Sequence, residues 1–486
     1  MFFRQFYDPP LAQASYLVGC QQTGDAIVID PTRDVSEYVR VAKQENLRIT
    51  FVTETHIHAD FVSGSRELSA RTGAAMLLSA EGGHEWQYGY AASDNATLLR
   101  DGEQFMVGNI RFDVLHTPGH TPEHLSFVVT DTPAAAGPMG VFTGDFVFVG
   151  DVGRPDLLEK AAQLEGTMEA SARTLFASLQ RFRALPDHLQ VWPGHGAGSA
   201  CGKALGAVPF STVGYEKLAN WALNIGNEGA FLREVLSGQP DPPTYFARMK
   251  QVNRDGPRVL RGISVPEKLP PSSIHELMGS KSLVIDTRAA SAYAEAHVPG
   301  TLNIPYNLSF TGWAGWLLPA DKEITLLVAA AEHERTPDAL VHALRDLAGV
   351  GIDRVGGWLD QSALTAWTDA GHELGHVRSV TVPALVLERA NGPAAQNAQA
   401  PLIIDVRKKD EWNHGHIPDA RHIPLGHLLQ QVTDVSRDAP IVVHCQSGGR
   451  SAIATSALMQ AGFTNVRNLT GGIVAWEANN NPVDHE

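Results

Sequence analysis

Short apolar runs, cut by glycine, proline and charged residues, set the elements along this chain. Residues 15–19 and 26–30 read as strands, and residues 35–45 carry a helical period. The run at 49–52 predicts a further strand, and Arg66, Leu68 and Ala70 begin a helical pattern behind it. More strands are predicted at 75–78, 110–115, 125–129 and 141–142, and residues 212–257 look helical. This mixture predicts two sheets covered by helices over residues 1–260. The rest of the chain repeats itself. Val284-Ile285-Asp286-Thr287-Arg288 returns as Ile403-Ile404-Asp405-Val406-Arg407, and His297-Val298-Pro299 returns as His416-Ile417-Pro418. Gly356-Gly357-Trp358 is matched with Gly471-Gly472-Ile473. The spacing, 119 residues for the first two matches and 115 for the third, suits a domain and not a solenoid repeat. Each copy alternates short β runs with helical patterns, which predicts a parallel sheet flanked by helices over 265–376 and again over 380–486. Residues 390–401, rich in Ala, Asn, Gln and Pro, read as a surface loop in the second copy.

Length and charge narrow the classes. A chain of 486 residues holds about three domains at roughly 100–200 residues each. Lys and Arg number 38 against 53 Asp and Glu, a formal charge of −15, which argues against nucleic acid or an anionic membrane as the main partner. No apolar run approaches the ~20 residues of a spanning helix. The opening MFFRQFYDPP lacks the charged start and apolar stretch of a signal peptide, so a cytoplasmic protein is expected. Cys20, Cys201 and Cys445 are far apart and form no CxxC, so no disulfide framework is expected. Cys20 ends a strand and reads as core.

The chemistry begins at Thr55-His56-Ile57-His58-Ala59-Asp60-Phe61, on a loop at the end of a strand, where sites usually sit. Two His and one Asp within five residues point to a metal. Further candidates follow in order: His120 at a Pro-Gly turn, Asp145 at the end of a buried strand, and His195 in Trp192-Pro193-Gly194-His195-Gly196. His116 has an equal claim to being a plain surface histidine. An Asp after Gly is a turn residue by default. In this order and spacing the residues resemble the metallo-β-lactamase fold, an αββα sandwich, with Phe61 standing where the last His of H-x-H-x-D-H belongs.

That resemblance sets the metal expectation. Binuclear members such as glyoxalase II use the missing His in a second site, and Asp60 with His195 alone make a poor one. One metal is therefore expected. Within the fold the chain resembles the persulfide dioxygenases, which implies one Fe(II) per chain on His56, His120 and Asp145, with His58, Asp60 and His195 orienting ligands or water. Two His and a carboxylate with open positions form the facial triad of non-haem iron oxygenases. Gly153-Arg154-Pro155-Asp156 has two readings, a direct role in catalysis or a loop closed by an Arg154–Asp156 contact. Cys201, six residues past His195, either lines the same cavity and touches a persulfide or is a buried structural Cys.

Both C-terminal copies resemble rhodanese domains. In the second, a strand at 441–443 runs into His444-Cys445-Gln446-Ser447-Gly448-Gly449-Arg450 and then a helix from Ala452. Backbone N–H groups around the Cys445 sulfur, a helix N-terminus and Arg450 favour an anion, with Gln446, Ser447, Gly448 and Gly449 lining the substrate loop. In the first copy, counting back from Arg335 puts Ala330 at the Cys position, with Glu332 and Glu334 repelling anions, so this copy is expected to be inactive. Trp313, Trp316 and Leu317 are expected to pack on the first domain. The whole arrangement resembles persulfide dioxygenase–rhodanese fusions. It implies oxidation of a low-molecular-weight thiol persulfide with O2 to sulfite and thiol, coupled to thiosulfate formation or use at Cys445, in a homo-oligomer. The rivals are a glyoxalase-II-like thioesterase and a non-enzymatic sulfur carrier.

Overall fold

The first residues of the chain, Phe2–Asp8, form β1, a strand that the sequence pattern missed. It pairs antiparallel with β2 (Gln13–Gly19), which is buried along its whole length. In this computed structural model, which describes residues 1–160, 166–329, 339–391 and 400–485, the chain forms two compact units. The first holds residues 1–263 with 345–351, and the second holds 264–344 with 352–486.

The first unit contains two six-stranded sheets. In one, β1 and β2 continue in order through β3 (Asp25–Ile29), β4 (Arg48–Thr53), β5 (Ala75–Ser79) and β6 (Thr97–Leu99). In the other, β7 (Gln104–Val107), β8 (Ile110–His116), β9 (Leu125–Asp131), β10 (Gly140–Gly144), β11 (Gln190–Pro193) and β12 (Ser211–Thr212) follow in order. Side chains of both sheets meet in one core, with Tyr16, Ile27 and Ile29 against Phe112, Phe127, Phe142 and Trp192. Helices Ser36–Gln44 and Ser65–Thr72 cover the outer face of the first sheet through Tyr38, Val41 and Leu68. Helix Met168–Arg183 covers the second through Leu175, Leu179 and Phe182. This is the expected αββα sandwich. Residues 212–257 become helices Val213–Ala219, Glu228–Leu236 and Tyr245–Asp255.

The second unit contains two parallel sheets. One has the order β14-β13-β15-β16, from β13 (Leu283–Asp286), β14 (Leu302–Asn303), β15 (Ile324–Val328) and β16 (Val355–Asp360). The other has the order β17-β21-β20-β18-β19, from β17 (Arg378–Val380), β18 (Leu402–Asp405), β19 (Arg421–His422), β20 (Ile441–His444) and β21 (Val466–Leu469). The repeat holds bond by bond. Asp286 pairs with Arg288 at 2.6 Å and Asp405 with Arg407 at 2.7 Å. Each arginine then donates to a carbonyl, Ala296 O at 2.9 Å and Gly415 O at 2.7 Å. Tyr293 stacks on His297 at 4.0 Å, as Trp412 does on His416 at 3.5 Å.

The structure corrects four expectations. Asp286 pairs with Leu327, and Asp405 pairs with His444. The next residue is Val328 in one copy and Cys445 in the other, so Val328 and not Ala330 takes the Cys position. Ala330, Glu332, Glu334 and Arg335 lie outside the described residues. Gly356 and Gly357 lie inside β16, whereas Gly471 and Gly472 follow β21 and open helix Gly472–Ala478. Their match in sequence is not a match in structure. Trp313 and Leu317 pack on the core of the second copy, and Trp316 sits edge-on to His427 at 5.2 Å, instead of facing the first domain. Residues 390 and 391 end helix Val382–Asn391 and are not loop, while 392–399 lie outside the described residues.

Candidate metal centre and sulfur-transfer loop

β4 ends at Thr53 and β10 ends at Gly144, and the two strand ends approach closely. Gly144 has φ 47°, and a Cβ there would stand 2.4 Å from the Thr55 hydroxyl, so only glycine fits. This approach brings His56, His120 and Asp145 together, all buried. His56 Nε2 lies 3.9 Å and His120 Nε2 3.6 Å from Asp145 Oδ2. Both Asp145 oxygens are buried without a hydrogen-bond partner. Two donors at about 2.1 Å from one cation stand roughly 3–4 Å apart, so the spacing and the orphaned carboxylate fit a metal ion.

The other ring nitrogens explain the aim of the imidazoles. His120 Nδ1 donates to Arg154 O at 3.1 Å, and His195 Nδ1 donates to Ala12 O at 3.0 Å. The Thr55 hydroxyl donates to Asp30 Oδ2 at 2.8 Å and so accepts from His56 Nδ1 at 3.0 Å. All three rings therefore carry their proton on Nδ1 and offer an Nε2 lone pair inwards. Burial, and then the neighbouring imidazoles, hold His56 well below its ordinary pKa. Burial likewise lowers His120, against the pull of Asp145.

His58 is treated differently. Its Nε2 donates to Asp30 Oδ1 at 3.1 Å and Glu54 Oε2 at 3.0 Å. Burial alone would lower it, but the two carboxylates outweigh that and hold it well above its ordinary value. Glu54 also accepts from Ser63 and Ser65. Phe61 is fully buried, with its ring 4.4 Å from that of His58. Asn253, on helix Tyr245–Asp255, fixes the loop by donating to His58 O at 2.8 Å and Phe61 O at 2.7 Å.

Asp60 and His195 do not stand alone. His195 Nε2 lies 3.3 Å from Asp60 Oδ2 and 3.5 Å from Asp145 Oδ2. Cys201, also buried, joins them as a third possible donor. Burial, and then the carboxylates of Asp145 and Asp60, push its thiol well above the ordinary value. Arg154 closes its loop by a two-bond pair with Asp156, at 2.7 and 2.6 Å, and also reaches Ala200 O at 3.1 Å. Asp151 accepts from the N–H groups of Lys203 and Ala204 at 2.9 and 2.7 Å. Together they hold the Cys201 loop from both sides. His116 binds Pro122 O and stays outside the cluster. Cys20 is in the core, where its sulfur accepts from Asn109 N–H.

Cys445 directly follows β20 and is buried. Its sulfur accepts from Gly448 N–H at 3.2 Å and the Ser451 hydroxyl at 3.5 Å, at the start of helix Gly449–Gln460. The carbonyls of Cys445 and Gln446 accept from Ile473 and Val474. Gly472 permits this, since a Cβ there would stand 2.3 Å from Cys445 O. Gln446 Oε1 lies 3.5 Å from Arg407. Arg450 makes two 2.6 Å bonds to Glu411, so its charge reaches the sulfur already shared with a carboxylate.

Several contributors escaped the sequence reading. His124 accepts Asp145 N–H at 3.1 Å and stacks on His56 at 5.2 Å. It stands four residues past His120, a spacing open to notice. Glu123, raised by burial to about 7, accepts Ile57 N–H at 2.7 Å. Asp30 and Asn253 carry no local signal of their role.

Residues 8–195 match the metallo-beta-lactamase superfamily, and residues 388–479 match the rhodanese-like domain. The chain is 30% identical over 280 residues to a beta-lactamase hydrolase-like protein of Xylella fastidiosa, covering 52% of this chain and 60% of that protein. It thus spans about three fifths of the length of such relatives. It is 27% identical over 198 residues to the mitochondrial persulfide dioxygenase ETHE1 of Homo sapiens, covering 40% of this chain and 68% of that protein. A solved metallo-beta-lactamase from Staphylococcus aureus subsp. aureus COL is 43% identical, with a TM-score of 0.65 over 74% of this chain and 99% of that one.

Proposed function

The chain belongs to the metallo-β-lactamase superfamily and carries a rhodanese-like domain in its C-terminal part, and on that premise we propose that it is a persulfide dioxygenase with sulfurtransferase activity. The reaction converts a low-molecular-weight thiol persulfide, O2 and water to sulfite and the free thiol. The proposed roles divide along the chain: residues 1–260 for oxidation, 265–376 for an inactive copy and 380–486 for sulfur transfer. The observation that carries the reading is the buried His56–His120–Asp145 cluster, with orphaned carboxylate oxygens and Phe61 beside it. These residues would hold one Fe(II), which supplies the redox chemistry that O2 requires and that zinc lacks.

The chain's own groups do the rest. Thr55, Arg154 O and Ala12 O hold the ring protons on Nδ1. His124 takes up the Asp145 N–H, which fixes the carboxylate's backbone. Phe61, 4.4 Å from the His58 ring, and Phe148, 6.1 Å from the His195 ring, are both fully buried and keep the surroundings apolar. Cys201 borders Asp145 and Asp60, where an incoming sulfur would pass. At Cys445 the sulfur attacks the sulfane sulfur of thiosulfate and sulfite leaves, giving a cysteine persulfide. The reverse direction joins sulfite to that sulfur. Gly448 N–H and the Ser451 hydroxyl hold the attacking sulfur, and stabilise the charge that returns to it when the sulfane sulfur is passed on.

Oxygen uptake by iron-loaded protein given glutathione persulfide tests the oxidation. Rapid uptake with sulfite or thiosulfate appearing is expected, and it should survive Cys445→Ser while thiosulfate exchange vanishes. Joint loss of both activities would contradict independent sites. A second reading, thioester hydrolysis, draws on the Asp60–His195–Cys201 group, which gives a second cation more donors than the sequence suggested. Hydrolysis of a glutathione thioester without oxygen uptake would select it.

A further inference from the structure

In the inactive copy, β15 ends at Val328 without a nucleophile, but the opposite end of the same sheet is open. A cavity of about 990 Å³ lies there, at the upper end of small-molecule sites. Leu283 at the start of β13 and Lys322 and Glu323 before β15 line one side, and Gln460 and Ala461, at the end of helix Gly449–Gln460, line another.

Its walls differ in chemistry. Trp367, His275 and His372 form one of them. The indole lies 4.4 Å from His372 and 5.4 Å from His275, with the imidazoles 5.3 Å apart. Stacked on opposite faces, the two imidazoles would stand roughly twice a ring spacing apart, so both lie on one side of the indole. Trp367 Nε1 is committed to Glu373 O at 3.0 Å and His275 Nε2 to Ala366 O at 3.1 Å. This wall therefore presents ring surface more than hydrogen bonds. Met278, Leu302 and Leu317 add apolar surface. Lys281 and Lys322 are exposed and line the cavity. Neither Lys281 nor Lys322 forms an ion pair with a described residue, so neither cavity ammonium is neutralised that way. Glu323 is the single acid among the lining residues.

We propose that this cavity binds an adenosine phosphate, with the ring system against the Trp367 wall and the phosphate at Lys281 and Lys322. Stacking surface and unpaired ammonium groups in one concavity match a planar base joined to an anion. The helix between the cavity and the Cys445 loop has 12 residues and spans about 18 Å, so the ligand does not compete with thiosulfate for Cys445. The inactive copy would then be a binding module. This inference stands whether or not the first unit oxidises persulfides.

Isothermal titration of the full chain with ADP tests it. Saturable binding is expected. Lys281→Ala with Lys322→Ala should weaken it at least about tenfold, and the double arginine variant should stay within about threefold. Trp367→Leu should also weaken it, while the alanine pair leaves thiosulfate exchange at Cys445 intact. Adenosine alone and inorganic phosphate alone should each bind at least about tenfold more weakly than ADP. Coenzyme A distinguishes the source: tighter binding than ADP assigns the nucleotide to a thiol carrier, and weaker binding assigns a free nucleotide. No binding of either at about 1 mM would overturn the proposal, as would affinity unmoved by the double alanine variant, or phosphate binding as tightly as ADP.

Discussion

His56 and His58 leave one loop two residues apart, and the protein puts them to opposite uses. His56 points Nε2 at an unpaired carboxylate and is held neutral by burial and by other imidazoles. His58 points Nε2 at two carboxylates that it neutralises, and they hold it charged. Each cluster has the same kinds of residue, His and acid, and each could be drawn as a metal site. Hydrogen bonding separates them. The first leaves polar atoms that only a cation or water can satisfy, whereas the Asp30–Glu54–His58 group largely satisfies itself. Asp30 belongs to both, through Thr55 on one side and His58 on the other.

Substitutions can break that contrast in a graded order. His56→Ala should lower the proposed persulfide oxidation by about a thousandfold or more and abolish iron retention, since it removes one of the three proposed ligands; metal analysis and oxygen uptake check this. His58→Ala should leave iron bound but cost about 3–5 kcal/mol of stability, because two buried carboxylates lose their shared cation; denaturant titration of metal-free protein measures it. Asp30→Asn should weaken iron affinity about 10–100-fold, as loss of a ligand's outer partner does, with a competitive chelator as the readout. Thr55→Val keeps the shape but removes both hydroxyl bonds, and should cost about 1–3 kcal/mol in stability, since buried polar atoms of Asp30 and His56 lose a partner. An order in which His58→Ala lost iron and His56→Ala kept it would reverse the assignment.

Sequence showed the candidate donors because His-x-His-x-Asp is local. It could not show which histidine turns inwards. That choice depends on Asp30 and on Asn253, far away in the chain, and on the close approach of Gly144 to Thr55. Cys201 was visible as a neighbour of His195, but its company with Asp60 is a product of the fold. The repeat was equally legible in its Asp–x–Arg and His–x–Pro segments, which make the same bonds in both copies. Counting failed where the copies diverge. Arg335 was too distant an anchor, and strand pairing moves the Cys position to Val328. A Gly-Gly pair likewise has two uses, inside β16 in one copy and at a helix start in the other. The tryptophans of helix Phe310–Leu317 read as an interface in sequence, and only packing shows that they serve the second copy. No helix among the described residues is long and apolar enough to cross a membrane.

The most direct test of the central claim is the iron content per chain of wild type, His56→Ala and His58→Ala, loaded with Fe(II) and desalted side by side. The His56–His120–Asp145 assignment predicts about one iron in wild type and His58→Ala, and almost none in His56→Ala. Equal loss in both variants would contradict it, since His58 would then be a ligand, and about two metals per wild-type chain would contradict the single site.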